Sequence, residues 1–291
     1  MAETKKIQKE PLPEEGFYGD QIRFFSSAGA DGRAIQDKIA SSGVVVLGGG
    51  VVASHALNSL ADSGVGSLRV ADDRKVTSAD LPGNALLTES DLNRPRGAAL
   101  SSRISGKDNA EVKCEDLSCD AASEASLLDV VKGMDCALAC LDSPSPTLLE
   151  AVNRAALRAN VRLIIGQVYR GIGLVGPTVI PRQTACYKCY ELRRNSNLLN
   201  YEQTMQYESR LRQMAAIKSE FVAPKPLAAC IGGLVALEAI RLITQGALPQ
   251  TAGRILRVDF FAPEMTYHRV LRMPNCPACG YERRRALPIR N

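Results

Sequence analysis

Two Cys-x-x-Cys pairs restrict this chain more than any other feature: Cys186 and Cys189 in TACYKCY, and Cys276 and Cys279 in NCPACGY. If all four thiolates bind one ion, the C-terminal segment must fold back onto the segment around residue 186. Four sulfurs at about 2.3 Å describe a tetrahedral zinc of the closed, structural kind, with no open position for a catalytic water. Two unrelated reduced pairs, or one redox-active pair, are the alternatives. The other five cysteines, Cys114, Cys119, Cys136, Cys140 and Cys230, read as small buried hydrophobes. His55 and His268 stand near no second candidate ligand and read as ordinary structural or surface residues.

The beginning, MAETKKIQKEPLPEEG, mixes both charge signs with prolines and has no apolar core, so it reads as a solvated tail and not a signal peptide. A cytoplasmic location follows, in which nine cysteines argue for thiol or metal chemistry over a disulfide framework. The apolar runs fall short of the roughly 18 residues that span a bilayer, which argues against a membrane protein. The net charge of +5 is scattered except at Arg283, Arg284 and Arg285. With no Trp to form stacking platforms, nucleic acid is not an expected partner.

The order of apolar segments predicts an α/β fold. Residues 17–40 read as two short helices around a Gly-rich turn. Val44, Val45, Val46 and Leu47 form a β-branched run of the kind buried in parallel sheets. A helix over 55–63 and a strand over 67–71 complete a βαβ unit. The pattern repeats as strand 136–141, helix 147–160 and strand 161–167. Strands alternating with helices imply a Rossmann-like, doubly wound, mostly parallel sheet. Residues 191–222 are highly charged and read as a surface excursion. An apolar helix over 224–244 and a hairpin over 254–259 and 266–272 lead to the last cysteines. The expected division is a flexible tail (1–16), N-terminal helices (17–40), a nucleotide-binding-type core (41–180) and a C-terminal zinc-stapled lobe (181–291).

Directly after the first strand, Gly48-Gly49-Gly50-Val51-Val52-Ala53 matches G-x-G-x-x-G/A. Such glycines permit a tight turn and close approach of phosphates to a helix N-terminus. Asp72 follows Ala53 by 19 residues, where an acid would hold a ribose hydroxyl. Plain strand-to-helix packing is the alternative use of the same glycines.

The order of the glycine loop, GVGSLRVAD, Leu141-Asp142, Gly173 to Pro177, the first CxxC, the ALEAI helix and the final CPACG resembles the ThiF/MoeB superfamily, whose fold ubiquitin-activating enzymes share. The similarity covers nearly everything from Tyr18 onward. It implies a homodimer that binds ATP and magnesium, adenylates the C-terminal carboxylate of a peptide or small carrier protein, and often holds a structural zinc. By this resemblance Gly48, Gly50, Asp72, Arg96 and Asp142 are the nucleotide-site residues, with Asp142 the magnesium-associated acid. The apolar face of the 224–244 helix also points to a dimer.

The departures from the family pattern lie at the phosphate end. Asp80 stands for the family's Asn, Gly83-Asn84 for its Arg-Gln pair, Asp20 for the arginine of its YxRQI segment, and Arg96 for its lysine. No cysteine occurs over 217–226, so a thioester-forming residue is missing, and Cys230 falls within the helix that follows. RKVTSADLPGN, NRPRGAAL and GPTVIPRQTACYKCYELRRNSNL look like the ThiF-like partners of azoline-forming systems, in which a YcaO-type enzyme does the ATP chemistry. They resemble less closely the peptide-adenylating microcin synthetase. Two classes stay open: a scaffold with a degenerate ATP site that recruits a precursor peptide to a cyclodehydratase, and an active adenylyltransferase without a thioester cysteine. In the first, leader recognition falls on the 191–222 excursion or on another protein.

Overall fold

A computed structural model describes residues 16–106, 113–116, 124–142, 145–169, 171–213, 223–245, 248–262 and 264–280. The helices α1 (Gly19–Ser27) and α2 (Gly32–Ala40) come first. The Asp31 side chain accepts from the Ala34 N–H and so caps α2. The next elements are β1 (Gly43–Leu47), α3 (Val51–Asp62), β2 (Ser67–Ala71), α4 (Arg96–Ser105), β3 (Lys113–Asp116), α5 (Glu124–Val131), β4 (Cys136–Leu141), α6 (Pro146–Ala159) and β5 (Arg162–Tyr169). The C-terminal part adds β6 (Ile172–Val175), α7 (Tyr187–Ser196), α8 (Tyr201–Gln213), α9 (Lys225–Thr244), β7 (Arg254–Asp259) and β8 (Met265–Arg269).

All eight strands form one sheet in the order β3-β2-β1-β4-β5-β6-β7-β8. The first five are parallel and the last three join antiparallel. Every residue of β1 and β4 is buried, as expected where helices cover both faces. One face carries a core of Val44, Val46, Leu57, Leu138 and Ile164 beneath α3, α4 and α9. The other carries Val45, Ala137, Val152 and Ile165, continuous with the four paired cysteines. Glycine permits the closest helix approaches. A Cβ on Gly232 would lie 2.6 Å from the Val52 carbonyl oxygen, and one on Gly166 would lie 2.5 Å from Val235 Cγ2. Thus α9 seats directly on α3 and β5.

The structure bears out the doubly wound sheet and shifts several boundaries. Helix α3 begins at Val51, directly on the glycine loop, and not at residue 55. Strands β3 and β6 were not expected: KCED is polar, and IGLV is short and half-exposed. The excursion forms α7 and α8 as far as Gln213, and residues 214–222 lie outside the described residues. Cys136 and Cys140 are buried as expected, but Cys230 is exposed, because α9 turns that position away from the sheet. Cys119, the Cys114 side chain and the tail before Gly16 lie outside the description. Helix α9 is long and apolar enough to cross a membrane, yet its apolar residues Ile231, Val235 and Leu242 are buried in the core. They are therefore not a free dimer face.

Candidate functional site

In an open α/β sheet the crevice lies at the C-terminal ends of strands, where the order of connection reverses. Here that point falls between β1 and β4, and it gathers the Gly48 loop, Asp72 after β2 and Asp142 after β4. Gly48 adopts a left-handed φ of +106°, and a Cβ there would strike the Cys140 carbonyl oxygen at 2.3 Å. A Cβ on Gly50 would fall 1.7 Å from Asp142 Oδ2. The loop is glycine-rich because the chain's own Asp142 packs into it.

Asp142 accepts from the Val51 N–H at 2.6 Å and the Val52 N–H at 3.1 Å. These are among the unpaired donors at the start of α3, the position that favours an anion. Burial pushes the Asp142 carboxyl above its ordinary range, against the pull of those two donors and of Arg96 and Arg74.

Asp72 is enclosed more tightly. Arg74 reaches it through Nε at 3.2 Å and a terminal nitrogen at 3.0 Å, and the buried Arg96 guanidinium lies 3.0 Å away. Burial alone would raise the Asp72 carboxyl, but the Arg74 hydrogen bond and the charges of Arg96 and Arg74 hold it below the ordinary range. Arg96 also bonds Asp80 at 2.5 Å. Asp80 in turn accepts from the Thr77 backbone and hydroxyl and closes a capping box. Three carboxylates and two guanidiniums therefore pair chiefly with one another and with the helix end. The Arg96 Nε is buried without a hydrogen-bond partner.

Asp80, which stands for the family's Asn, is neutralised by Arg96. Arg74, given no role from the sequence, is the second clamp on Asp72. Its position two residues beyond Asp72, in a loop, was the available signal. Asp20 is not part of this group; it is exposed on α1 and ion-paired with Arg23. Gly83 is left-handed at φ +78° and packs against the Lys225 side chain, with its carbonyl oxygen 3.1 Å from His55 Nε2.

The four paired cysteines converge on the opposite face. All are buried, and their sulfurs lie within 4.8 Å of one another. Neighbouring sulfurs are 3.5–3.8 Å apart. A tetrahedron with metal–sulfur bonds of about 2.3 Å has edges of about 3.8 Å, so the donor set fits one zinc-sized, thiophilic ion. Cys186 is the N-cap of α7, and the Met273 N–H approaches Cys189 Sγ at 3.4 Å. Hydrogen bonding with Cys189 raises the Cys186 thiol, while hydrogen bonding with Cys186 lowers that of Cys276. This group would serve as a staple between α7 and the C-terminal segment.

Residues 18–278 match the ThiF family model, which is 90% of the chain in one continuous span. The chain belongs to the ThiF family. This ThiF-family protein is 27% identical over 248 residues to the sulfur carrier protein ThiS adenylyltransferase of Escherichia coli K12, covering 84% of this chain and 88% of that one. It is 24% identical over 245 residues to the molybdopterin-synthase adenylyltransferase of Salmonella typhimurium, covering 84% and 90%. Its fold superposes on E. coli MccB, solved with AMPCPP and MccA, with a TM-score of 0.79 at 22% identity, covering 92% of this chain and 75% of that one. Against PaaA the TM-score is 0.73 at 19% identity, covering 92% and 87%.

Proposed function

We propose that this ThiF-family protein is a peptide-recruiting scaffold for a YcaO-type azoline cyclodehydratase, and that its own ATP crevice is degenerate. The observation that carries this reading is Asp142, whose carboxylate sits on the first N–H groups of α3. A triphosphate would have to displace a carboxyl group already seated on those donors. It would also meet Arg74 and Arg96 engaged by Asp72 and Asp80. Adenylation requires cations free to absorb charge developing on the α-phosphate. The family's occupant, ATP with magnesium, would supply an activated phosphoryl centre, and Gly48, Gly50, Asp72, Arg96 and Asp142 are the residues that would hold it. Their present pairing argues against its use.

The alternative is an active adenylyltransferase acting on the carboxylate of a peptide or small carrier protein. The retained glycine loop, Asp142 and the unpartnered Arg96 Nε favour it. Homodimer formation, structural zinc and a cytoplasmic location belong to either proposal. ATP–pyrophosphate exchange separates the two. A scaffold shows none alone but raises the dehydration rate of a cognate YcaO-type enzyme on its precursor peptide. Robust exchange by the isolated protein, abolished by Asp142→Ala, would establish the enzyme.

A further inference from the structure

The sheet ends at β8, which has no hydrogen-bonded neighbour beyond β7 among the described residues. Val270 N–H donates inward to the Gly253 carbonyl, and the Glu264 carbonyl accepts inward from Asp259 N–H. In an antiparallel ladder the backbone groups of successive residues alternate between the two sides. Met265, Tyr267 and Arg269 therefore turn their N–H and C=O groups to the open edge. Their side chains share the face of their register partners Val258, Leu256 and Arg254. Met265 and Tyr267 are 60% and 49% exposed.

Charge adds the second observation. Arg254 and Arg269 stand directly opposite in register, in a non-hydrogen-bonded pair, the closer of the two pair types. Like charges so placed destabilise a sheet. Both are exposed, and neither makes an ion pair among the described residues. The adjacent Arg257, by contrast, is neutralised by Asp259 at 2.5 Å. The chain's own end, residues 282–291, carries Arg283, Arg284, Arg285 and Arg290 against one Glu and is of the wrong sign to compensate.

We propose that the β8 edge is a docking strand for an extended acidic peptide segment, seated by strand addition. Backbone pairing along Met265, Tyr267 and Arg269 supplies the affinity, and the Arg254–Arg269 pair selects negative charge. Met265 and Tyr267 offer apolar contact to alternate side chains. The inference rests on the peptide-recruiting reading for its biological occupant, and it moves recognition from the 191–222 excursion to the sheet edge.

The probe is a fluorescein-labelled peptide alternating Val and Glu, about ten residues long so as to span β8 at ~3.4 Å per residue, with a Val–Lys twin as control. Fluorescence anisotropy should show the acidic peptide binding at least about ten-fold tighter than its twin, with the preference shrinking in high salt. The double variant Arg254→Glu, Arg269→Glu should reverse the preference. Tyr267→Pro removes an outward N–H, which edge strands tolerate, together with the ring, so the variant folds and loses binding, while Tyr267→Ala, which keeps the N–H, should retain more of it. Amide exchange at Met265 and Arg269 should slow when the acidic peptide binds. Equal binding of the two peptides, or unchanged binding by Tyr267→Pro, would overturn the proposal. So would concentration-dependent protection of those amides without peptide, which would assign the edge to a second copy of the chain. Stimulation of a YcaO-type enzyme that survives Tyr267→Pro would sink the edge while leaving the scaffold reading intact. Peptide binding without any stimulation would do the reverse.

Discussion

The four-thiol cluster and the glycine-loop crevice are both buried collections of ionisable groups, and they solve the burial problem in opposite ways. The thiol cluster brings together four groups of one kind with, among the described residues, no cationic side chain bonded to them. Four thiolates are tolerable there only with an external cation among them. The crevice brings together Asp72, Asp80 and Asp142 with Arg74 and Arg96, and satisfies nearly all of their charge internally. One site is a set of like donors that could hold a metal ion, and the other pairs its carboxylates with its own guanidiniums. Descent from a nucleotide-binding fold preserves the shape of a crevice, while the pairing of its charges decides whether it is available.

The sharpest way to break the contrast is at the cluster. Cys276→Ser should take zinc from about one equivalent per chain to almost none, measured by elemental analysis of the purified protein. It should also loosen the C-terminal segment, because binding at a structural zinc site is folding free energy, about 10–16 kcal/mol in zinc-finger peptides. Unchanged metal content would remove the staple from the account.

The crevice should respond less, and through charge. Asp72→Asn removes one of the two counter-charges of the buried Arg96, leaving Asp80, and should cost about 2–3 kcal/mol in denaturant unfolding at neutral pH. The folded carboxyl lies below its unfolded value, so its contribution is complete above the unfolded pKa of about 4 and is lost as pH falls through the folded value. The gap between wild type and variant should therefore be flat at neutral pH and close in acid. A gap that widened in acid would contradict the pairing.

The smallest effect is expected at Asp142. Asp142→Ala strands two N–H groups at the start of α3 but also removes a buried carboxylate that burial disfavours. The two terms oppose, and a loss of about 1–2 kcal/mol is expected. Stimulation of a partner enzyme should persist. Loss of stimulation in a folded variant would show that the crevice itself does the work.

The same contrast explains what the sequence disclosed. Strands β1 and β4 were legible because both faces are buried, which forces unbroken apolar runs. Strand β3, reading KCED, gave no such signal. The cysteines were legible by spacing, since two short knuckles carry the site's geometry locally. Gly48, Asp72 and Asp142 were legible as members of a pattern, but their pairings were not. That Asp142 bonds Val51 and Val52, 91 and 90 residues earlier, depends on β1 and β4 lying side by side. That Arg96 neutralises Asp80 depends on how the segment over 74–96 closes. Cys230 was misread because composition alone does not fix which face of α9 meets the sheet.

The central claim is that the crevice is closed by its own charges, and titration calorimetry tests it most directly. Magnesium and ATP added to the zinc-loaded protein should give no binding heat up to millimolar nucleotide, where binding would be worth only about 4 kcal/mol. Saturable micromolar binding would show that Asp142 and the two arginines yield to the triphosphate, and would contradict the account.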